Sequence, residues 1–344
     1  MHDEILLRTP EPDPERLFGL IESSMEGLRR VHILREAISL GLFDRLAMAK
    51  DHEELAKELG LDEGMTDLFC ESLRSIGLLE RDGTGKYRNS ALSATYLVCG
   101  SPYAQERSLD WTWLGMERWR ELDNYLRNGP KTIDRTEFFN EDWIRSIAER
   151  AICGGVQKVA NDIADLVDMT GGKRLLDLGG GHGLYAAAFC ARVPDLRAVV
   201  FDLPEMVPLT KRYLERYGAD RVEVAGGDFT KDDIGSGYDM IFSSYNASGS
   251  DLSMVPVVTA ALRPGGYLVL RQFSEEAKCE PVAGLEWNFV SFRGMRRGKR
   301  RFSGPNSCSL KEYGRALEEK GFEIVHHWTF DSMSEMMIAR KVGE

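Results

Sequence analysis

The chain has 344 residues, 43% hydrophobic and 29% charged, a composition that predicts a globular protein large enough for two domains. Its net charge of −11 argues against nucleic acid as a partner, because phosphate binding requires a positively charged surface. No stretch approaches the roughly 20 apolar residues of a membrane span. Six cysteines without a Cys-x-x-Cys pair predict free thiols and no metal site. The expected location is therefore the cytoplasm.

Residues 1–100 are predicted to fold as a helical domain of the winged-helix type. Leu17–Leu46 has helical spacing and is apolar over a wide arc, which favours a dimer interface over the alternative, a core helix of one subunit. Two short helices follow at His52–Leu61 and Met65–Ile76, and Leu78–Arg88 has the pattern of a hairpin. A winged helix often binds DNA, but 12 Lys and Arg residues against 19 Asp and Glu residues make this domain acidic.

Residues 101–150 are predicted to form a helical linker rich in aromatic side chains. These rings could line an apolar substrate chamber or pack the seam between domains, and the sequence leaves both interpretations open. A helix predicted over Ala148–Met169 leads into the next domain. The aromatic residues are Trp111, Trp113, Trp119, Trp143, Phe138, Phe139, Tyr103 and Tyr125.

Arg174–Gly183, read as R-L-L-D-L-G-G-G-H-G, predicts a buried strand, a glycine turn and the start of a helix. Glycine allows the backbone to approach a ligand closely, and a helix N-terminus directs free N–H groups toward it. The next strand ends at Asp202, about 20 residues further on, where a ribose is held in sheets of this kind. A third strand ends at Asp228. Since ligands bind at the carboxyl ends of parallel strands, the three ends together predict a nucleoside site.

Further strands are predicted at Tyr238–Tyr245, Tyr267–Phe273, Gly321–Trp328 and Met336–Lys341, with a helix over Asp251–Leu262. Another helix is predicted to start at the capping box of residues 309–312. This alternation of strands and helices predicts an α/β fold over residues 151–344, a doubly wound, Rossmann-like sheet.

The motifs L-D-L-G-G-G-H-G, V-F-D-L-P, G-G-D-F and A-L-R-P-G-G-Y-L-V-L resemble those of S-adenosylmethionine-dependent methyltransferases. More narrowly, nearly the whole chain resembles the plant-type and acetylserotonin-type O-methyltransferases. The resemblance implies a class I methyltransferase domain, an N-terminal dimerisation domain, a homodimer, S-adenosylmethionine as cofactor and a small, cyclic or aromatic acceptor. The expected cofactor-binding residues are Asp177, Gly179, Gly180, Gly181, Asp202, Leu203, Asp228, Phe229, Ser243 and Ser244.

The catalytic base of that family is missing. The family has a His in an H-D-W-type segment after the fourth strand, where this chain has Ser248, and no His lies within 60 residues on either side. The acidic G-x-E-R-T-type segment of the family is replaced by Gly304–Ser309. A phenol titrates near pKa 10 and is helped by a base, and a neutral serine does not serve as one at pH 7. The family's Lys or Arg near the adenine is replaced by Ser244.

Three explanations stay open. The acceptor could be a carbon or other atom that needs no base, which is slightly favoured; the base could come from elsewhere; or the cofactor could be bound without methyl transfer, as in hydroxylase-like relatives. A ligand-sensing DNA-binding regulator is the alternative from another class, and the acidic charge disfavours it. The candidate catalytic residues are Ser248, Tyr245, Glu286 and Asn288, with Asp251 as a further base candidate.

Arg293–Arg301, R-G-M-R-R-G-K-R-R, places six basic residues in an acidic chain. The run is either a rim that binds an anionic substrate through Arg293, Arg296 and Arg297 or a solvated loop. His182, within the glycine turn, is expected to be structural.

Overall fold

The computed structural model describes residues 7, 9–293, 298–304 and 306–343. The chain divides into two compact units, with the boundary between Glu106 and Arg107. Each unit has its own buried hydrophobic core. No helix in the described part of the chain is both long and apolar enough to cross a membrane.

The first unit consists of helices and one small hairpin, in the order that the sequence predicts. Its long first helix leaves apolar side chains exposed in the single chain: Leu17 and Phe18 are each 58% exposed, and Leu20 is 65% exposed. An exposed apolar face of this kind is typical of an interface. The elements are α1 (Glu15–Ser39), α2 (Leu42–Arg45), α3 (His52–Leu59), α4 (Glu63–Ser75), β1 (Leu79–Arg81), β2 (Tyr87–Asn89) and α5 (Ala91–Tyr96).

The second unit begins with a helical segment. It contains α6 (Glu106–Trp119), α7 (Leu122–Asn128), β3 (Lys131–Ile133), α8 (Arg135–Phe138), α9 (Glu141–Arg150) and α10 (Val156–Leu166). The helix predicted over Ala148–Met169 is broken between α9 and α10, where Cys153 and Gly154 leave helical geometry. Gly154 has a φ of +106°, which is open to glycine and strained for other residues.

The rest of this unit alternates strands and helices. The elements are β4 (Arg174–Leu178), α11 (Leu184–Arg192), β5 (Arg197–Asp202), α12 (Val207–Arg216), β6 (Val222–Gly226), β7 (Tyr238–Ser244), α13 (Val255–Ala261), β8 (Leu262–Phe273), α14 (Glu275–Lys278), α15 (Pro281–Trp287), β9 (Val290–Phe292), α16 (Leu310–Glu318), β10 (Phe322–Asp331) and β11 (Ser334–Lys341). Strand β8 starts five residues earlier than predicted, because Leu262 already pairs with Tyr238 ahead of the Pro-Gly-Gly irregularity.

Seven of these strands form one sheet in the order β10-β11-β8-β7-β4-β5-β6. Neighbouring strands from β6 to β8 are parallel, and β11 pairs antiparallel with both β8 and β10. Side chains alternate between two buried cores: Leu175 packs with α10 and α11, whereas Leu176 and Leu178 pack with α13 and α16. The doubly wound α/β fold is therefore confirmed. A separate parallel pair joins β3 to β9.

Candidate functional site

The candidate site lies at the carboxyl ends of β4, β5, β6 and β7. After β4 the chain turns through Gly179 and Gly181, both at positive φ, before α11 begins. Any Cβ at Gly179 would lie 2.6 Å from the Asn246 amide nitrogen and 3.4 Å from the Phe229 ring. Position 179 therefore accepts only glycine, because a larger residue would meet these two side chains and because its φ is positive.

Asp177, near the end of β4, is a buried carboxylic acid under the glycine turn. It is 1% exposed, and its Oδ2 has no hydrogen-bond partner among the described residues. Burial raises its pKa to about 7, the backbone N–H of Ala186 works against that rise, and the charge of Asp202 adds to it. A Cβ on Gly180 would lie 2.6 Å from this carboxyl group. The absence of a side chain at Gly180 therefore leaves room for the Asp177 carboxyl group. One oxygen of that group has no protein partner among the described residues and is available to a ligand.

Asp202, the last residue of β5, holds the turn from the other side. Its Oδ2 accepts a hydrogen bond from the Gly181 N–H at 2.7 Å, and its Oδ1 accepts one from the Leu203 N–H at 2.7 Å. Burial raises the pKa of Asp202, and these two backbone donors oppose the rise. Each carboxylate oxygen retains a further lone pair, so the group is able to accept two more donors, as a ribose diol would supply.

Asp228 follows β6. Its Oδ1 accepts hydrogen bonds from the N–H and the hydroxyl of Thr230, and its Oδ2 lies 3.3 Å from Lys231 Nζ. Burial acts to raise the pKa of Asp228, but the bonds from Thr230 and Lys231 outweigh it and lower the pKa. The carboxylate therefore stays ionised at neutral pH. Phe229, beside it, presents its ring to the glycine turn.

The end of β7 contributes two serines of different kinds. The Ser244 hydroxyl is buried and has no hydrogen-bond partner in the part of the chain that the structure describes. Ser243, by contrast, is fully buried and donates to Asn246 Oδ1 at 3.1 Å. Asn246 in turn donates to the Leu178 carbonyl at 2.8 Å. Asn246, which the sequence analysis missed, therefore ties the end of β7 to the end of β4.

Ser248 occupies the position expected for the catalytic base, and the structure makes it part of the protein interior. It is 0% exposed, and its hydroxyl is bonded to Asn246 Oδ1 at 2.6 Å and to Ser243 Oγ at 2.7 Å. Its carbonyl accepts a bond from the Tyr313 hydroxyl, and Gln272 donates to the Asn246 carbonyl. A direct catalytic role for Ser248 does not agree with this burial.

Tyr245 is fixed next to this cluster with a φ of +56°, unusual for a residue other than glycine. Its ring stacks on Phe273 at 4.2 Å between ring centroids and lies 4.8 Å from the guanidinium of Arg271. Burial raises the pKa of Tyr245 to about 12, and the nearby Arg271 charge opposes the rise. The phenol is therefore neutral at pH 7 and does not act as a base there.

Glu286 and Asn288 come from the segment around α15. Asn288 donates its amide to the carbonyls of Gly284 at 2.9 Å and Lys299 at 3.2 Å, so its donors serve the local backbone. Glu286 is half-buried, and its Oε1 would be 3.3 Å from a Cβ added at Gly115 on α6. Of the candidate catalytic residues, Glu286 is the one with a carboxylate that faces the helical segment.

The aromatic residues of the helical segment pack on one another within the second unit. Phe138 makes ring contacts with Trp111 at 5.4 Å, Phe139 at 5.2 Å and Trp143 at 6.3 Å. A second group joins Trp119 and Tyr125 to Phe289, just before β9. We call these two groups of rings together the aromatic wall, and their packing is compatible with either predicted alternative, the lining of a chamber or a packing surface.

The basic run is only partly within the described residues. Arg293 is 77% exposed and pairs with Asp134 at 3.0 Å, and Arg300 pairs with Glu275 at 2.5 Å. Arg296 and Arg297 lie outside the described residues. The Arg301 guanidinium sits 4.4 Å from the centroid of the Phe302 ring.

His182 is buried, and its Nδ1 accepts a bond from the Leu184 N–H at 3.1 Å. Burial lowers its pKa to about 4, so the ring is neutral at pH 7 and forms part of the turn. This geometry agrees with the structural role expected from the sequence.

Comparison with known proteins gives two family matches. Residues 137–303 match the O-methyltransferase domain, and residues 23–99 match the O-methyltransferase dimerisation domain. An uncharacterised protein of Methanocaldococcus jannaschii is 33% identical over 93% of this chain and 88% of its own length. A 3-hydroxy-5-methyl-1-naphthoate 3-O-methyltransferase of Streptomyces sahachiroi is 30% identical over 76% of this chain and 79% of its own.

Among solved structures, human N-acetylserotonin methyltransferase in complex with S-adenosylmethionine has the same fold. It superposes with a TM-score of 0.70 at 20% identity, covering 97% of this chain and 100% of the human chain. Fold and site together define an S-adenosylmethionine-dependent methyltransferase. The chain belongs to the O-methyltransferase family, and its first unit carries that family's dimerisation domain. The resemblance found in the sequence is confirmed.

The site residues fit this cofactor. Gly179 and Gly180 leave no room for a Cβ, so the backbone of the turn is open to a close ligand. Asp202 and Asp228 lie at the ends of two neighbouring strands, and Asp177 Oδ2 and Ser244 Oγ are buried polar atoms without a partner among the described residues. A cationic, nucleoside-bearing ligand supplies the donors that such a set of acceptors requires.

Proposed function

We propose that this protein transfers a methyl group to a small cyclic or aromatic acceptor, at a carbon or another atom that needs no protein base before the methyl group is transferred. The observation that carries the proposal is the structure around Ser248. Where the family has its base, the described residues have a buried cluster of hydroxyl and amide groups that bond to one another. A hydroxyl acceptor would have to lose its proton without help, whereas an electron-rich ring carbon or an enol does not need a strong base beforehand.

The bound cofactor supplies an electrophilic methyl group on a sulfonium. The chain's part is to hold donor and acceptor in line and to keep water away. In the proposed arrangement, Asp202 and Leu203 hold the ribose and Asp228 and Phe229 flank the purine. Asp177, with its available oxygen, accepts from the cationic end of the ligand. Gly179, Gly180 and Gly181 allow the close approach, and Ser244 offers its hydroxyl while Ser243 supports the strand end.

The acceptor chamber is proposed to lie along the aromatic wall. Residues 101–150 provide most of its rings, and Phe292 of β9 contacts both Phe138 and Phe139. The Glu286 carboxylate faces α6, where its Oε1 would be 3.3 Å from a Cβ added at Gly115. We propose Glu286 as the group that orients the acceptor or removes a late proton after carbon methylation. Asn288 and Tyr245 are proposed to support the wall of the chamber. Ser248 is proposed to support the floor of the chamber from the protein interior.

The basic run is proposed to bind an anionic substituent of the acceptor. Arg293 is largely exposed and shares its charge with only one described carboxylate, Asp134. Arg296 and Arg297 follow it in the sequence. Charge-assisted hydrogen bonds from guanidinium groups are well suited to a carboxylate or phosphate.

The proposed domain organisation keeps residues 1–100 for dimerisation, 101–150 for the substrate chamber and 151–344 for the cofactor. The exposed apolar face of α1 supports a homodimer through the first domain. Its acidic composition argues against nucleic acid as a partner.

The test is a set of acceptors incubated with methyl-labelled S-adenosylmethionine. One naphthoate has a hydroxyl and a free ring position ortho to it. Its matched control has that position and the other activated ring positions blocked by methyl groups. We expect a carbon–methyl product from the first compound and no product from the second. An O-methyl product from the blocked compound would overturn the proposal, and retention of all label on the cofactor with every acceptor would favour binding without transfer.

A further inference from the structure

Arg135, at the start of α8, reaches the cofactor edge of the sheet from the helical segment. Its Nη1 lies 3.6 Å from Asp228 Oδ2. Its Nε is buried and has no hydrogen-bond partner among the described residues. A buried N–H without a partner is costly, and a group of this kind beside a ligand site points to a partner that arrives with the ligand.

The charge of Arg135 acts on two strand ends at once. It pairs with the carboxylate after β6, and it also opposes the rise that burial causes in the pKa of Asp202 at the end of β5. Both acids are proposed to flank the nucleoside. A guanidinium that pairs with Asp228 therefore lies at the edge of the sheet where the nucleoside is proposed to bind.

The helix that carries Arg135 is well anchored. Asp134 and Glu137 form a reciprocal capping box at its N-terminus, and the Phe139 ring lies 5.8 Å from the guanidinium carbon. Phe138, one turn along, is in the centre of the aromatic wall. Arg135 is thus presented by a supported element, and this element joins the cofactor edge to the wall of the proposed chamber.

Strand β7 ends in Ser244 at the same edge of the sheet, so the end of this strand supplies no basic group to the ligand. We infer that Arg135 is a cofactor-binding residue that closes the nucleoside site from the helical segment. Its planar guanidinium lies beside the Asp228 carboxylate and donates its available Nε–H to the nucleoside. This inference depends on the nucleoside placement given under the proposed function.

The test compares variants by calorimetric binding of two probes, S-adenosylhomocysteine and 5′-methylthioadenosine, which contains the nucleoside without the amino acid part. We expect Arg135→Ala to weaken both probes by about tenfold, since one charge-assisted hydrogen bond is lost. Arg135→Lys should recover part of that loss because it restores charge but not the planar fork. Arg127→Ala is the matched control, because Arg127 pairs with Asp123 on α7 and should leave both affinities unchanged.

Melting temperatures separate binding from folding. A purely structural role would lower the melting temperature of Arg135→Ala and leave its affinity for both probes unchanged at a temperature where the variant is folded. Affinities within twofold of the wild type, or tighter binding, would overturn the inference while the proposed function stands. Failure of the wild-type protein to bind either probe would instead overturn the proposed nucleoside site itself.

Discussion

The cofactor edge and the edge where the family's base would lie are built from similar polar residues in opposite ways. At the cofactor edge, Asp177 and Ser244 each keep a buried polar atom without a partner. At the other, the side-chain oxygens of Ser248 and Asn246 bond to each other at 2.6 Å. Unpaired buried polar groups are costly, so the two unpaired atoms at the first edge support the proposal that a ligand binds there.

In the proposed function, this difference accounts for a cofactor site that is kept without the usual base. The proposed binding contacts depend on polar atoms without a protein partner among the described residues, and Asp177 Oδ2 and Ser244 Oγ are two of these. Proton removal depends on a titratable group facing the acceptor, and the serine at that position lies inside the fold. The residue at the position of the missing base is instead part of the packed interior.

The largest effect is expected from Asp202→Ala. The change removes the proposed ribose acceptors and also the two bonds to Gly181 and Leu203. We expect affinity for S-adenosylhomocysteine to fall by about a hundredfold, measured by calorimetry. Asp195→Ala is the control, since Asp195 likewise accepts from two backbone N–H groups, those of Gly171 and Gly172, at the opposite ends of the strands. Equal affinity losses in the two variants would count against a ribose contact.

Asp177→Asn should separate burial from binding. With its pKa raised to about 7, the cofactor-free protein holds a proton on Asp177 that the unfolded chain releases near pH 4. This contribution to stability is complete below pH 4 and is lost as the pH rises through 7. The asparagine variant should therefore melt at a similar temperature near pH 4 and several degrees higher than the wild type at pH 8.

The same residue should release protons when the cationic end of the ligand binds. At pH 7 we expect roughly half a proton per S-adenosylhomocysteine from the wild type and none from this group in the variant. The measurement is calorimetry in buffers of different ionisation enthalpy. Equal proton release by both proteins would show that Asp177 does not face the cationic group.

Ser248→Ala tests the other edge. Because the buried Ser243 and the half-buried Asn246 each lose a hydrogen bond, the free energy of unfolding should fall by about 1–3 kcal/mol, measured by urea denaturation. Ligand affinity and the rate of methyl transfer should stay within twofold. Ser253→Ala, on the exposed turn before α13, should change neither property. A loss of transfer by a factor of a hundred or more would restore Ser248 as a catalytic residue.

The smallest effect is expected from Arg293→Ala at the rim of the basic run. An exposed guanidinium contributes only a modest charge-assisted contact, so the KM of a carboxylated acceptor should rise about threefold. The KM of its uncharged amide analogue should not change. An equal rise in KM for both acceptors would mean that Arg293 affects the shape of the rim and does not bind the carboxylate.

Much of the fold could be predicted because its signals are local. The glycine turn, Asp202 and the hairpin after α4 each depend on residues adjacent in sequence. Arg135 escaped prediction because it lies 67 positions before Asp202, and only tertiary packing of α8 brings the two charges into range. The interior position of Ser248 was hidden for the same reason, since Tyr313 and Gln272 come from α16 and β8.

The position of β11 between β8 and β10 has a consequence for how the protein is made. This strand inserts between β8 and β10, and Met336 and Ile338 are fully buried there, yet it is translated after every strand that it joins. During synthesis one edge of β8 therefore stays unpaired until β11 has been made, and unpaired strand edges can pair with other chains. We expect stalled ribosomal products ending before residue 334 to aggregate, and a chaperone that shields strand edges to raise the yield.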